Sequence, residues 1–197
     1  MPPVAEPSVR KACFLDRDGV VNVDVGYLHR AEDFAFVPGA VSALARLQAA
    51  GWALVVVTNQ SGIARGFFTE ADYQRLTGHM RATLAAAGIQ LDAVLHCPHL
   101  PAATVPAYRQ VCACRKPAPG LLLQAAATLG LNLAASVLVG DKASDIDAGR
   151  AAGVGRCVLV ESGHALSAAS RAAADAVYAD LAQWVASLPC SSVLDRA

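Results

Sequence analysis

A chain of 197 residues with 16 basic and 16 acidic side chains has no net charge, which excludes the strongly basic face that nucleic acid or an anionic membrane surface would require. Its apolar residues, 55 % of the total, fall in short runs that stop before the ~18 residues needed to cross a bilayer, so a small solute is the expected partner. The length suffices to bury a core without covalent staples, which leaves the six cysteines free for another purpose.

The opening MPPVAEPSVRK holds prolines and charges but no apolar signal-peptide core, and is read as the start of a cytoplasmic protein. The run KACFLD predicts a strand over 11–16, followed by Arg17, Asp18 and Gly19. An alanine-rich helix is expected at about 39–50, then a strand, WALVVVTN, at 52–59 that leads into Gln60 and Ser61. Thr69 and Asp72 have the form of a capping box at the start of a helix over 69–87. A third strand, DAVLHCP at 92–98, enters a loop that ends in Arg115, Lys116 and Pro117, and a helix follows at 118–129. SVLVGD at 136–141 is the fourth strand, and Ser144 with Asp147 gives a second capping-box pattern for a helix over 144–152. A fifth strand, RCVLVES at 156–162, precedes a helix at 166–174, an edge strand near 175–181, a last helix containing Trp184 and a frayed tail at 189–197. Strands apolar on both faces that alternate with helices predict a three-layer, doubly wound, Rossmann-like parallel sheet. No linker or repeat divides the chain, so one domain over 1–197 is expected. Cys13 and Cys157 lie inside apolar runs and read as small buried hydrophobes; Cys190 is isolated and receives no role.

In open α/β sheets ligands bind beyond the carboxyl ends of the strands. Here those ends carry Asp16, Thr58 and Asp141, with Asp18, Asp145 and Asp147 nearby in sequence. A lone Asp-x-Asp is usually a solvated turn, but carboxylates converging on one crevice repel each other unless a hard cation sits among them. Oxygen-only donors suit Mg²⁺.

The segment CPHLPAATVPAYRQVCACRKP poses a separate question. Cys97-x-His99 and Cys112-x-Cys114 are separated by twelve residues, which allows a disulfide loop, a redox pair or a metal site. In a reducing compartment the metal site is favoured, and three thiolates with one imidazole suit tetrahedral Zn²⁺. Four protein ligands leave no open position, so this zinc, in a loop at 97–114, is expected to be structural and to hold Arg115 and Lys116 in place. A zinc ribbon for nucleic acid, or a non-catalytic zinc-bearing interaction module, would use the same ligands; zero net charge opposes the former.

Four stretches occur in the order LDRDG (15–19), VVTN (56–59), Lys116 in RKP, and GDKASDID (140–147). Together they resemble the motifs of the haloacid dehalogenase superfamily, with one departure at Val20, where many members have threonine. The resemblance implies that Asp16 is the nucleophile that becomes an aspartyl phosphate and that Asp18 is the general acid and base. It further implies that Thr58 and Lys116 stabilise the phosphoryl group and that Mg²⁺ is held by Asp16, the Asp18 carbonyl and Asp141. Lys142 and Asp145 would orient that shell. The intervals between motifs leave no room for a large cap domain, so local contacts must select the substrate.

Within the superfamily, NVDVGY (22–27), TNQSGIARG (58–66) and the cysteine loop resemble the D-glycero-D-manno-heptose 1,7-bisphosphate 7-phosphatase group. That implies an enzyme acting on a small sugar bisphosphate in the making of ADP-heptose for lipopolysaccharide; a monomer is expected. Asp24, Val25, Gly26, Tyr27, Asn59, Gln60, Ser61, Arg115 and Lys142 are the expected substrate contacts. Histidinol-phosphate phosphatase is the alternative, and a phosphomutase would use the same aspartates.

Overall fold

The computed structural model describes residues 10–189; most of the opening segment, Cys190 and all but the first residue of the expected tail lie outside that range. The predicted strands form as β1 (Ala12–Leu15), β2 (Ala53–Asn59), β3 (Ala93–Cys97), β4 (Val137–Gly140) and β5 (Arg156–Val160), and the edge segment forms β6 (Ala176–Tyr178). All pair in parallel, in the order β3-β2-β1-β4-β5-β6. The chain therefore winds outward from β1 in one direction and from β4 in the other. The crevice between those two strands is the switch point at which such sheets bind ligands.

The helices are α1 (Ala40–Ala49), α2 (Ser61–Arg65), α3 (Glu70–Ala86), α4 (Gly120–Leu129), α5 (Ala143–Ala152), α6 (Ala168–Ala173) and α7 (Leu181–Ala186). Strand side chains alternate between faces, and both faces are apolar. Cys13, Leu15, Val56, Val139 and Val160 pack with Leu44, Leu47, Met80, Leu84 and Trp184 from α1, α3 and α7. Ala12, Phe14, Val55, Val57, Leu138 and Leu159 pack with Leu121, Leu122, Ile146 and Ala148 from α4 and α5. Burying each large aliphatic side chain contributes about 1.5–3 kcal/mol. Cys13 and Cys157 are buried among them, as expected.

Two local expectations need correction. The five-residue α2, absent from the expected elements, is separated from β2 by one residue; Phe68 covers its Gly62 so closely that a β-carbon there would fall 2.1 Å from the ring. The second capping pattern is displaced. Asp72 and Thr69 do cap α3 reciprocally, but α5 begins at Ala143 and it is Asp145 whose carboxylate accepts the Lys142 N–H, at 3.0 Å. The frame predicted from Ser144 and Asp147 fails because Asp147 faces solvent whereas Asp145 is buried. Among the described residues, only a single helical turn and α1 lie between β1 and β2, so no cap domain is inserted there.

Candidate active site

Asp16 extends β1 by one residue, its N–H bonded to the Val139 carbonyl of β4 at 3.0 Å, so its side chain emerges at the switch point. Lys116 reaches the same place from the end of the cysteine loop. Its Nζ lies 3.1 Å from Asp16 Oδ1 and 2.6 Å from Asp145 Oδ1, and it donates to the Val57 carbonyl at 2.8 Å. Burial alone would lower the ammonium's pKa, but Asp145 and Asp16 outweigh it and hold the group well above its usual range. Asp16 shows the converse: burial pushes it up to about 7, Lys116 opposes the rise, and Asp145, Asp141 and Asp18 add to it. Asp141 is also raised, first by burial.

One ammonium thus faces several carboxylates in a dry crevice. Ligand oxygens of Asp16, Asp141 and Asp145 lie within 4.8 Å of one another. Asp145 is engaged by Lys116, whereas Asp141, 0 % exposed, has an Oδ1 with no hydrogen-bond partner. Buried polar atoms are rarely left so. An unpartnered carboxylate oxygen among other oxygen donors fits a hard divalent cation.

Asp18 sits beside this group in a cradle of donors. Arg17 gives Nε and Nη2 to Oδ1 at 3.2 and 2.9 Å and Nη2 to Oδ2 at 3.0 Å. Asn22 donates to Oδ1 at 2.9 Å and Gln60 to Oδ2 at 3.0 Å. Burial would raise the Asp18 pKa; Arg17, Asn22 and Gln60 reverse that and lower it. Arg17 is itself only 1 % exposed and lies over the Tyr73 ring, 5.7 Å from its centroid. It was legible only as the middle residue of Asp16-Arg17-Asp18; nothing in the spacing marks it as buried.

The residues expected to touch substrate separate into groups. Asp18, Asp24, Gly26, Tyr27, Asn59, Gln60, Ser61 and Lys142 line one cavity of about 290 Å³, together with Gly62 and His164. Val25 and Tyr27 are exposed, and Tyr27 has a φ of 53°, the one positive value outside glycine among the described residues, so this loop carries backbone strain. Gln60 and Asn59 have inward partners. Gln60 also donates to Thr58 Oγ1 at 2.9 Å. Asn59 uses both ends of its carboxamide on Lys116, accepting its N–H at 3.1 Å and donating to its carbonyl at 3.0 Å. Arg115 donates to the His99 carbonyl at 3.2 Å, and Lys142 Nζ is 3.8 Å from carboxylate oxygens of both Asp24 and Asp141.

Cys97, His99, Cys112 and Cys114 converge beside Lys116 in sequence. The sulfurs are 3.1–3.5 Å apart, and His99 Nδ1 lies 3.7 and 3.4 Å from Cys97 and Cys114. These gaps are far longer than the ~2.05 Å of a disulfide. They are slightly inside the ~3.8 Å edge of a tetrahedron built on Zn–S bonds of about 2.3 Å. Burial raises the Cys112 thiol pKa, but its neighbours Cys114 and Cys97 bring it down to about 7, toward the thiolate that a metal needs.

His164 is the functional candidate that sequence reasoning missed. It follows β5, and its Nδ1 is 2.7 Å from Asp141 Oδ2. The signal available was its place just beyond another strand's carboxyl end.

Comparison with known proteins agrees with this geometry. The HAD-hydrolase-like family model matches residues 113–184. A D-glycero-beta-D-manno-heptose-1,7-bisphosphate 7-phosphatase of Salmonella typhi is 50 % identical over 171 residues, 87 % of this chain and 91 % of that protein. A D-glycero-alpha-D-manno-heptose-1,7-bisphosphate 7-phosphatase of Photorhabdus laumondii is 45 % identical over 157 residues, covering 80 % and 86 %. The crystal structure of D,D-heptose 1,7-bisphosphate phosphatase from B. bronchiseptica, complexed with magnesium and phosphate, matches with a TM-score of 0.76 at 35 % identity, over 89 % of this chain and 96 % of that one.

Proposed function

The chain belongs to the haloacid dehalogenase-like hydrolases, and we propose that it removes the 7-phosphate of D-glycero-D-manno-heptose 1,7-bisphosphate through an aspartyl phosphate on Asp16. The observation that carries this reading is the buried contact of Lys116 with Asp16 and Asp145 beside the unpartnered oxygen of Asp141, at the switch point of the sheet. The 50 % identity to a heptose bisphosphate phosphatase supports the substrate.

Asp16 attacks phosphorus; the new bond joins its carboxylate oxygen to the phosphoryl group, and the bond from phosphorus to the sugar oxygen breaks. A sugar alkoxide is a poor leaving group, so Asp18 in its protonated form supplies its proton; before substrate enters, Arg17, Asn22 and Gln60 favour the carboxylate, and the proton is taken up as the phosphate ester binds. Asp18 then takes a proton from the water that cleaves the aspartyl phosphate, which frees phosphate and restores Asp16. Lys116 and the Thr58 hydroxyl are already fixed where the phosphoryl oxygens gather charge. Asp16, Asp141 and the Asp18 carbonyl would hold Mg²⁺, which supplies the positive charge that offsets phosphate and carboxylates together. Asn59 fixes the Lys116 peptide, and Gln60 ties Asp18 to Thr58.

The Cys97, His99, Cys112 and Cys114 cluster would hold a structural Zn²⁺. Arg115, hydrogen-bonded to the His99 carbonyl, is the cation placed to grip the distal phosphate. Asp24, Val25, Gly26, Tyr27, Ser61 and Lys142 form the sugar's surroundings. We read the chain as a monomeric single-domain cytoplasmic enzyme of the ADP-heptose branch of lipopolysaccharide synthesis; no described helix is long and apolar enough to cross a membrane. A phosphate-release screen across sugar bisphosphates and histidinol phosphate tests the reading. Preferred turnover of the heptose bisphosphate, with one phosphate freed, is the expected result, and preference for histidinol phosphate would reject the substrate while keeping the chemistry.

A further inference from the structure

Three consecutive residues after β5 close over Asp141. Ser162 Oγ donates to the Gly19 carbonyl at 2.6 Å, which ties this loop to the turn that follows Asp18. Gly163 then approaches Asp141 so closely that a β-carbon would fall 2.1 Å from Oδ2. His164 Nδ1 stands 2.7 Å from the same oxygen. A carboxylate only accepts hydrogen bonds, so the ring nitrogen is the donor. Lys142 Nζ, at 3.8 Å, is too far to share that oxygen by a hydrogen bond. The opposite oxygen, Oδ1, is buried and unpartnered.

We infer that His164 is a positioning residue for the divalent cation: by taking Oδ2 it fixes the rotation of the Asp141 carboxylate and leaves Oδ1 as the free donor. The inference deepens the reading above and rests on Asp141 being a magnesium ligand. Its physical basis is general. A carboxylate that turns freely must be ordered when the ion binds, and a hydrogen bond from outside the coordination shell provides that order beforehand. The three contacts act together, since Ser162 anchors the loop, Gly163 permits the approach and His164 makes the bond. His164 is half exposed, so its replacement leaves the core untouched.

The test is magnesium binding by titration calorimetry on the phosphate-free protein, with no substrate present. His164→Ala should weaken the affinity about tenfold or more, the usual scale for loss of such a partner. His164→Asn should stay within about threefold of wild type, because the amide nitrogen can donate from near the Nδ1 position. Wild-type affinity in His164→Ala would overturn the inference, as would an asparagine variant as weak as the alanine one. A rise in KM at saturating magnesium with unchanged affinity for the ion would make His164 a substrate contact and also overturn it. Should His164→Ala fail to fold, Gly163→Ala displaces the same carboxylate and should show the same loss; undisturbed binding there would count against the inference. Asp141→Asn separates the two levels. If it binds magnesium like wild type, the metal site itself is misread; if it loses the ion while His164→Ala keeps it, only the role of His164 falls.

Discussion

The two donor clusters of this molecule are built on opposite plans. The one in the loop uses soft donors in two close pairs, Cys97 with His99 and Cys112 with Cys114, each separated by a single residue. The one in the crevice uses oxygens alone, buried, from Asp16 after β1, Asp141 after β4 and Asp145 in α5. Local spacing assembles half of the first before any tertiary structure forms. Only the sheet assembles the second, and it does so at the expense of solvation first and of carboxylate repulsion second, both of which raise the pKa values of Asp16 and Asp141. On the reading proposed above, the first cluster serves rigidity, and the second stores the electrostatic demand that a cation and a phosphoryl group answer.

Asp16→Asn breaks the comparison most severely on one side. Turnover should fall on the order of 10⁴-fold or more, while metal analysis still finds about one zinc per chain retained through chelation that strips magnesium. Substantial phosphate release by this variant would exclude the covalent route.

Cys112→Ser attacks the other side. Zinc should be lost and kcat/KM should drop by about 10²-fold, the scale of a displaced catalytic cation, because Lys116 lies four residues further on. Magnesium affinity should stay within about threefold, since no crevice carboxylate is altered. Equal damage to both metals would show that the clusters are not separable.

Arg115→Ala tests what the rigid loop delivers. With its side chain removed, kcat/KM for the heptose bisphosphate should fall by ~2 to 3 kcal/mol, and a small aryl phosphate should lose far less. Equal loss on both substrates would remove Arg115 from distal recognition.

The smallest effect is one of pH. Asp16, raised to about 7 in the metal-free protein, has a folded pKa above its unfolded one. Its contribution to stability is therefore present while it is protonated and lost as pH rises from about 4 through about 7. Magnesium competes with that proton, so its apparent affinity should climb about tenfold per pH unit up to about 7 and level off above. Thermal melts should show magnesium adding more stability at about pH 8 than at about pH 6; a constant increment would contradict the assignment of Asp16.

The sheet was legible because both faces of every central strand are apolar, and the strand ends because their polar residues interrupt runs such as Leu54 to Val57. The soft-donor site was legible from spacing. What escaped was set by contacts across the fold. Ser144 with Asp147 reads as the capping frame until Lys116 arrives to bury Asp145. The helix α2 is too short for a periodic signal, and the close cover of its Gly62 by Phe68 exists only in the folded chain. Arg17 looks like a surface arginine until Tyr73 and Asp18 enclose it. His164 lies in a loop of unremarkable composition, and its significance appears only when β5 is placed beside β4.

Asn59 has a consequence for how this chain can vary. By holding the backbone N–H and carbonyl of Lys116, it ties the lysine to β2 as well as to the cysteine cluster, so the reactive end of the loop has two anchors. Position 59 is therefore held to a side chain that carries one donor and one acceptor, and a change there would release the reactive end of the loop from β2.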